Sequence, residues 1–168
     1  MLGKQAAGNI FRYTFSYGDM LLVPKYSDIE SRAEVEISSH LKDNKYELPV
    51  ISSPMDTVTE CDMAIAMANH GGLGIIHRYN SIQDQARIVK EVYSKADTAA
   101  AAIGVSGDFL DRATSVVSEG AKVLCVDVAH GHHVLMERAL KTLRDKLSVD
   151  IIIIAGNVAM PDGYTDLS

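Results

Sequence analysis

No stretch of the sequence approaches the roughly 18 uninterrupted apolar residues that cross a membrane as a helix. The segment Met1 to Arg12 holds no apolar core of signal-peptide length. Neither a membrane-spanning nor a secreted protein is expected. Positive charge is not in excess either: 16 Lys and Arg stand against 22 Asp and Glu, a formal net charge of −6. That balance argues against nonspecific attraction to nucleic acid or to an anionic membrane. Cysteine is scarce. Cys61 and Cys125 lie in apolar segments, and neither sits in a CxxC or metal-ligand spacing. Both are read as buried free thiols of a reducing compartment, where disulfides are rare, with no zinc or redox role. A GxGxxG turn after the first apolar strand is also missing, which removes the main support for a dinucleotide-binding Rossmann reading.

What is present is a regular alternation. From about residue 48, short apolar runs (48–53, 73–77, 100–105, 121–128 and 150–157) alternate with segments of helical apolar spacing (59–69, 81–94, 108–119 and 133–147). Gly71 and Gly120 close two of the helical segments, and Ser81 is placed to cap another. The residues after Pro161 read as the first turn of a fifth helix. Strands that are nearly continuous apolar runs are buried on both faces, the mark of a parallel sheet in an α/β protein. An open doubly wound sheet and part of a closed barrel both fit this pattern. Ser52, Ser53, His77, Ser106, Asp127 and Asn157 fall at or just after the carboxyl ends of the runs. Both architectures place their ligand sites at that edge. Residues 1–47 stand outside the alternation. Within them, 17–24 and 35–38 read as extended pieces that would cap one end of a barrel, and 48–168 would supply its first five strands.

Five segments, in order, resemble the IMP dehydrogenase/GMP reductase family. They are Asp19-Met-Leu-Leu-Val-Pro24, Ser52-Ser-Pro-Met-Asp-Thr-Val-Thr-Glu60, Gly71-Gly-Leu-Gly-Ile-Ile-His77, Val126-Asp-Val-Ala-His-Gly-His132 and Ala155-Gly-Asn-Val158. The resemblance covers nearly the whole chain. It implies an α/β fold, a TIM (β/α)8 barrel of that family's type, incomplete at about five of eight βα units. It further implies a purine nucleoside monophosphate as substrate, NAD or NADP as cofactor and a cytoplasmic location. The completed enzyme would be a homo-oligomer, a tetramer. By the family match, Ser53, Met55 and Asn157 bind the nucleotide, and Asp127, Val128 and Ala129 meet the nicotinamide side. Chemistry allows simpler roles. Met55 could be core packing, Ser53 a helix cap, Asp127 half of an ion pair and His77 a satisfied rim histidine. His130, His132 and His133 invite a metal reading, but the family holds no metal there.

The two branches of the family are both represented. Ser52 to Glu60 and Gly71 to His77 look like the dehydrogenase, which takes IMP to XMP with NAD. Ser31, Arg32 and Arg78 look like the reductase, which takes GMP to IMP with NADPH. Arg suits a phosphate because its planar fork binds bidentately. The regulatory CBS modules that many dehydrogenases insert after the second helix are replaced by a short link near 95–98. The dehydrogenase is the preferred reading. The resemblance places the nucleophilic cysteine and the potassium site in a loop after the sixth strand, and neither is found in this sequence. The chain is therefore expected to be inactive alone, as a fragment, as one half of a split enzyme with a complementing C-terminal half, or as a non-catalytic protein.

Overall fold

The alternation folds into five parallel strands hydrogen-bonded in the order of the sequence, in a computed structural model that describes residues 16–168. The described residues fall into two compact units, divided between Glu36 and Ile37. In the first, Tyr17–Asp19 and Arg32–Glu34 form single 3-10 turns. Ser16 caps the former by hydrogen bonds to the Asp19 carboxylate, and Ser31 caps the latter by accepting from Ala33 N at 3.3 Å. The extended reading of 17–24 thus gives way at 17–19 to a turn.

The second unit opens with a hairpin absent from the sequence reading, β1 (Ser39–Leu41) and β2 (Asn44–Tyr46). Its two-residue loop puts Lys42 at a φ of 54°. That conformation favours Gly or Asn, so this turn carried none of the usual sequence signal. The extended piece read at 35–38 is outside any strand, and β1 begins at Ser39. Then come β3 (Ile51–Ser52), α1 (Cys61–Asn69), β4 (Leu73–Ile76), α2 (Ile82–Ala96), β5 (Ala100–Ile103), α3 (Phe109–Ser118), β6 (Val123–Asp127), α4 (Val134–Lys146), β7 (Ile152–Gly156) and α5 (Pro161–Leu167).

Strand order decides between the two architectures that the sequence left open. A doubly wound sheet reverses its order at a switch point and carries helices on both faces. Here the order never reverses. Side chains alternate across each strand, and the two faces enter different cores. Ile76, Ala101, Ile103, Leu124 and Val126 pack with helix residues such as Val89, Val116, Met136 and Leu143. Leu73, Ile75, Ala100, Ala102, Val123, Cys125 and Ile152 form a second core that, among the described residues, no helix enters and against which Leu41 and Tyr46 of the hairpin pack. Helices on one face only, around an inner face of small and branched residues, define a half-barrel of TIM type. Lys42 Nζ reaches the Val149 carbonyl at 3.1 Å, and Leu48 N donates to the Gly71 carbonyl at 3.0 Å, so the hairpin sits at the amino ends of the strands.

One close approach sets the α1–β4 spacing. A Cβ on Gly74 would lie 2.6 Å from the Ala64 Cα, a backbone atom that cannot swing aside. Gly74→Ala is expected to destabilise the fold by about 1–3 kcal/mol, the usual cost of overpacking. A lowered urea midpoint at unchanged m-value would register it.

Candidate functional site

The carboxyl ends of the strands carry the expected residues of the second unit, whereas Ser31 and Arg32 lie in the first. Ser53 and Met55 follow β3, His77 and Arg78 follow β4, Asp127 ends β6 and Asn157 follows β7. Asp127 is in register with Gly156. Beyond the strands the pairing continues: Val128 N donates to the Gly156 carbonyl at 2.9 Å, Asn157 N to the Val128 carbonyl at 2.8 Å, and Gly131 N to the Asn157 carbonyl at 2.6 Å. These bonds hold Asp127, Val128, Ala129 and Asn157 as one surface. A Cβ on Gly131 would fall 2.9 Å from the Asn157 carbonyl oxygen, so only glycine lets the loop approach this closely.

The polar residues divide into two sets. One set is spent on structure. Thr59, fully buried, donates to the Ser53 carbonyl at 2.6 Å and shares a hydroxyl–hydroxyl bond with Ser52 at 2.9 Å. His77, 2 % exposed, accepts from Tyr79 N–H at Nδ1 (3.1 Å). Its proton therefore sits on Nε2, 3.1 Å from the Glu60 carboxylate. His77 is a satisfied rim histidine. His132 bonds Asp166 at 2.9 Å, and His133 caps α4 by accepting from Leu135 N–H at 3.1 Å. No three potential metal ligands cluster among the described residues.

The other set is not spent. The Ser53 hydroxyl, the Asp127 carboxylate and the Asn157 amide have no hydrogen-bond or ion-pair partner among the described residues, and all three lie at this edge. Met55 is 51 % exposed and so is not core packing. Ser53 is not a helix cap either, because Glu60 occupies the N-cap position of α1. Arg78 meets the backbone carbonyl of Asp127 through Nη2 at 3.5 Å, while its Nε is buried without a partner among the described residues. Its guanidinium lies 5.6 Å from the Tyr79 ring centroid, within cation–π range.

Neither thiol is poised for attack. Both cysteines are free. Cys125 is buried within β6, and desolvation, reinforced by the nearby Asp127 charge, pushes its pKa up to about 11. Cys61, expected to be buried, is only partly so. Its pKa is also raised, first by desolvation and then by Glu91.

The sequence reading missed a buried polar chain beneath this edge. Gln85 and Arg112 lie inside the α2–α3 layer and are joined Oε1 to Nη1 at 3.1 Å. Gln85 did leave a sign: it is a polar residue inside the apolar stripe of Ile82, Ala86, Val89 and Val92.

A half-barrel with unspent polar groups at the carboxyl ends of its strands has them at the face where TIM-barrel enzymes carry their ligand sites. The IMP dehydrogenase / GMP reductase domain matches residues 14–168. The chain belongs to that family. It is 27% identical to an inosine-5'-monophosphate dehydrogenase of Nitrosopumilus maritimus, with 94% of this chain and 59% of that protein aligned. It is 32% identical to the inosine-5'-monophosphate dehydrogenase of Cryptosporidium parvum over 90% of this chain and 48% of the relative. A GMP reductase of Variovorax paradoxus is 30% identical over 91% and 47%. The chain spans about half the length of the curated relatives it matches. The Nitrosopumilus alignment runs over 284 positions against 155 for the Variovorax reductase, so the former relative carries a long insertion that this chain lacks.

Proposed function

We propose that this chain carries the nucleotide-facing half of an oxidoreductase site acting at C2 of a purine nucleoside monophosphate, with a nicotinamide cofactor, in the cytoplasm. The observation that supports this best is the set of unspent groups of Ser53, Asp127 and Asn157 at one edge, beside Thr59 and His77, whose polar atoms are paired. Ser53 and Met55 take the nucleotide: the hydroxyl bonds its polar edge, and the exposed thioether offers a polarisable surface to a flat base. Asn157 offers both a donor and an acceptor to an amide-like edge. Asp127 accepts hydrogen bonds from a carboxamide or ribose hydroxyl, with the backbone of Val128 and Ala129 beside it. When bound, the nicotinamide supplies the two-electron partner of the C2 chemistry. The residues of this chain orient the two ligands and do not themselves attack carbon. In the completed enzyme, a homotetramer, a further segment supplies the nucleophile and the potassium site.

Of the two branches, the dehydrogenase acting on IMP with NAD is favoured by the nucleotide-side run Ser52 to Glu60, whose backbone Thr59 pins in place. The reductase acting on GMP with NADPH is favoured by Arg78, whose buried Nε lacks a partner, and by exposed Arg32, whose neighbour Ser31 caps the turn it begins. Cofactor discrimination separates them. If Arg32 or Arg78 meets the 2′-phosphate of NADPH, its loss removes a charge-assisted bond of about 1.5–3 kcal/mol. NADPH affinity then falls about tenfold to a hundredfold, while NAD, lacking that phosphate, changes far less. The comparison is Arg32→Ala and Arg78→Ala in a chimera with a relative's C-terminal half, titrated with both cofactors. Equal losses for the two cofactors would remove the reductase reading. A selective loss for NADPH would overturn the dehydrogenase preference.

A further inference from the structure

The β4–α2 connection carries Arg78, and a single buried chain of side chains holds it on both flanks. Gln85 Nε2 lies 2.9 Å from the His77 carbonyl and 2.8 Å from the Ala102 carbonyl, with the Ile76 carbonyl further off at 3.4 Å. Gln85 Oε1 accepts from Arg112 Nη1 at 3.1 Å. Arg112 Nη2 donates to the Asn80 carbonyl at 3.1 Å, and the same guanidinium is gripped by Asp108 at 2.8 and 3.2 Å. Gln85 is fully buried and Arg112 is 7 % exposed. The chain thus fixes the backbone one residue before Arg78 and two residues after it, and ties both to the end of β5.

We infer that Gln85 and Arg112 are positioning residues, which set the Arg78 loop for the anionic end of the cofactor; this rests on the reading of Arg78 as a phosphate contact. Three observations carry it. A buried ionic chain is seldom needed for stability, since well-packed apolar replacements are often neutral or better. The guanidinium donates in three directions at once, to Gln85, Asn80 and Asp108, which an ammonium on a flexible stem would do poorly. The Arg78 side chain itself is held by one long bond to a carbonyl and a cation–π contact with Tyr79 of the same loop, and keeps a buried Nε without a partner among the described residues. Arg78 therefore does not hold the loop; the loop is held for Arg78.

The test uses the full chain and two readouts, amide hydrogen exchange across Arg78–Asn80 and titration with adenosine 2′,5′-bisphosphate followed by NMR. Arg112→Met is compared with Val116→Ala, which removes packing from a fully buried position of the same helix without touching the loop. In Arg112→Met, exchange at the loop is expected to quicken and affinity for the bisphosphate to fall by about tenfold, the equivalent of roughly one good hydrogen bond. Val116→Ala, at a matched loss of global stability, should leave both near the wild type. Arg112→Lys should restore affinity only in part. Equal effects of Arg112→Met and Val116→Ala would reduce the chain to a structural element and overturn the proposal. So would a loop whose exchange is unchanged in Arg112→Met. If the wild type fails to bind the bisphosphate, the phosphate reading of Arg78 is what fails, and the exchange comparison alone decides whether the chain positions the loop.

Discussion

Given IMP with NAD, or GMP with NADPH, the 168-residue chain is expected to show no turnover above its own Cys125→Ala variant. The reason is the state of its two thiols. A thiol with a pKa of about 11 is ionised at pH 8 in only about one molecule in a thousand, and the thiolate is the nucleophile. Cys125 also packs in the inner core with Ala100, Ala102 and Ile152 and is 9 % exposed. Cys61 packs against the opposite, helix-side core. Without an accessible thiolate the covalent route at C2 is closed. Joined to the C-terminal half of a relative such as the Cryptosporidium dehydrogenase, the chain should gain turnover, and Cys125→Ala in that chimera should keep it. Turnover by the chain alone that disappears with Cys125→Ala would show that the wrong cysteine has been set aside.

The same thiol should make stability fall at alkaline pH. In the fold, Cys125 is held neutral up to about pH 11, whereas in the unfolded chain it ionises near its ordinary value of 9.0. A raised folded pKa contributes stability that is complete below the unfolded value and is lost as pH rises through the folded one. The window therefore runs from about pH 9 to about pH 11, and the two-unit gap corresponds to about 2–3 kcal/mol. Urea unfolding of the wild type and of Cys125→Val at pH 8 and pH 11 isolates this contribution. Tyr46, whose pKa burial also raises, titrates in both proteins and cancels in the difference. The valine variant should lose less stability on going to pH 11. Parallel losses in the two proteins would mean that the thiol is not desolvated as its position in β6 indicates.

The five βα units were legible because each strand is an unbroken apolar run and because Gly71 and Gly120 stop their helices where expected. Ser81 caps α2 as read, accepting from Asp84 N–H at 3.0 Å. The placement of Ser53, His77, Asp127 and Asn157 at the carboxyl ends of the strands was legible for the same reason, since each follows or ends an apolar run. The choice of barrel over open sheet was not legible. It depends on which strands are neighbours, and an alternating pattern is silent on that. The hairpin was lost because Lys42-Asp43 makes its turn without glycine or asparagine. The burial of Met55 was ambiguous because an apolar side chain fits a core and an exposed strand end equally well; it is 51 % exposed. Gln85 and Arg112 stand 27 residues apart, so the bond between them exists only once α2 and α3 are packed.

Where IMP lands on the molecule tests the account most directly. Amide shift perturbations on titrating isotope-labelled chain with IMP should concentrate at Ser53, Met55 and the loop around Asn157, at the carboxyl ends of β3 and β7. The amino ends of the strands offer a rival place, a cavity of about 340 Å³ lined by Asn44, Tyr46, Gly72, Thr98 and Lys122. Perturbations confined to that cavity, with Ser53, Met55 and Asn157 unmoved, would contradict the assignment of the site.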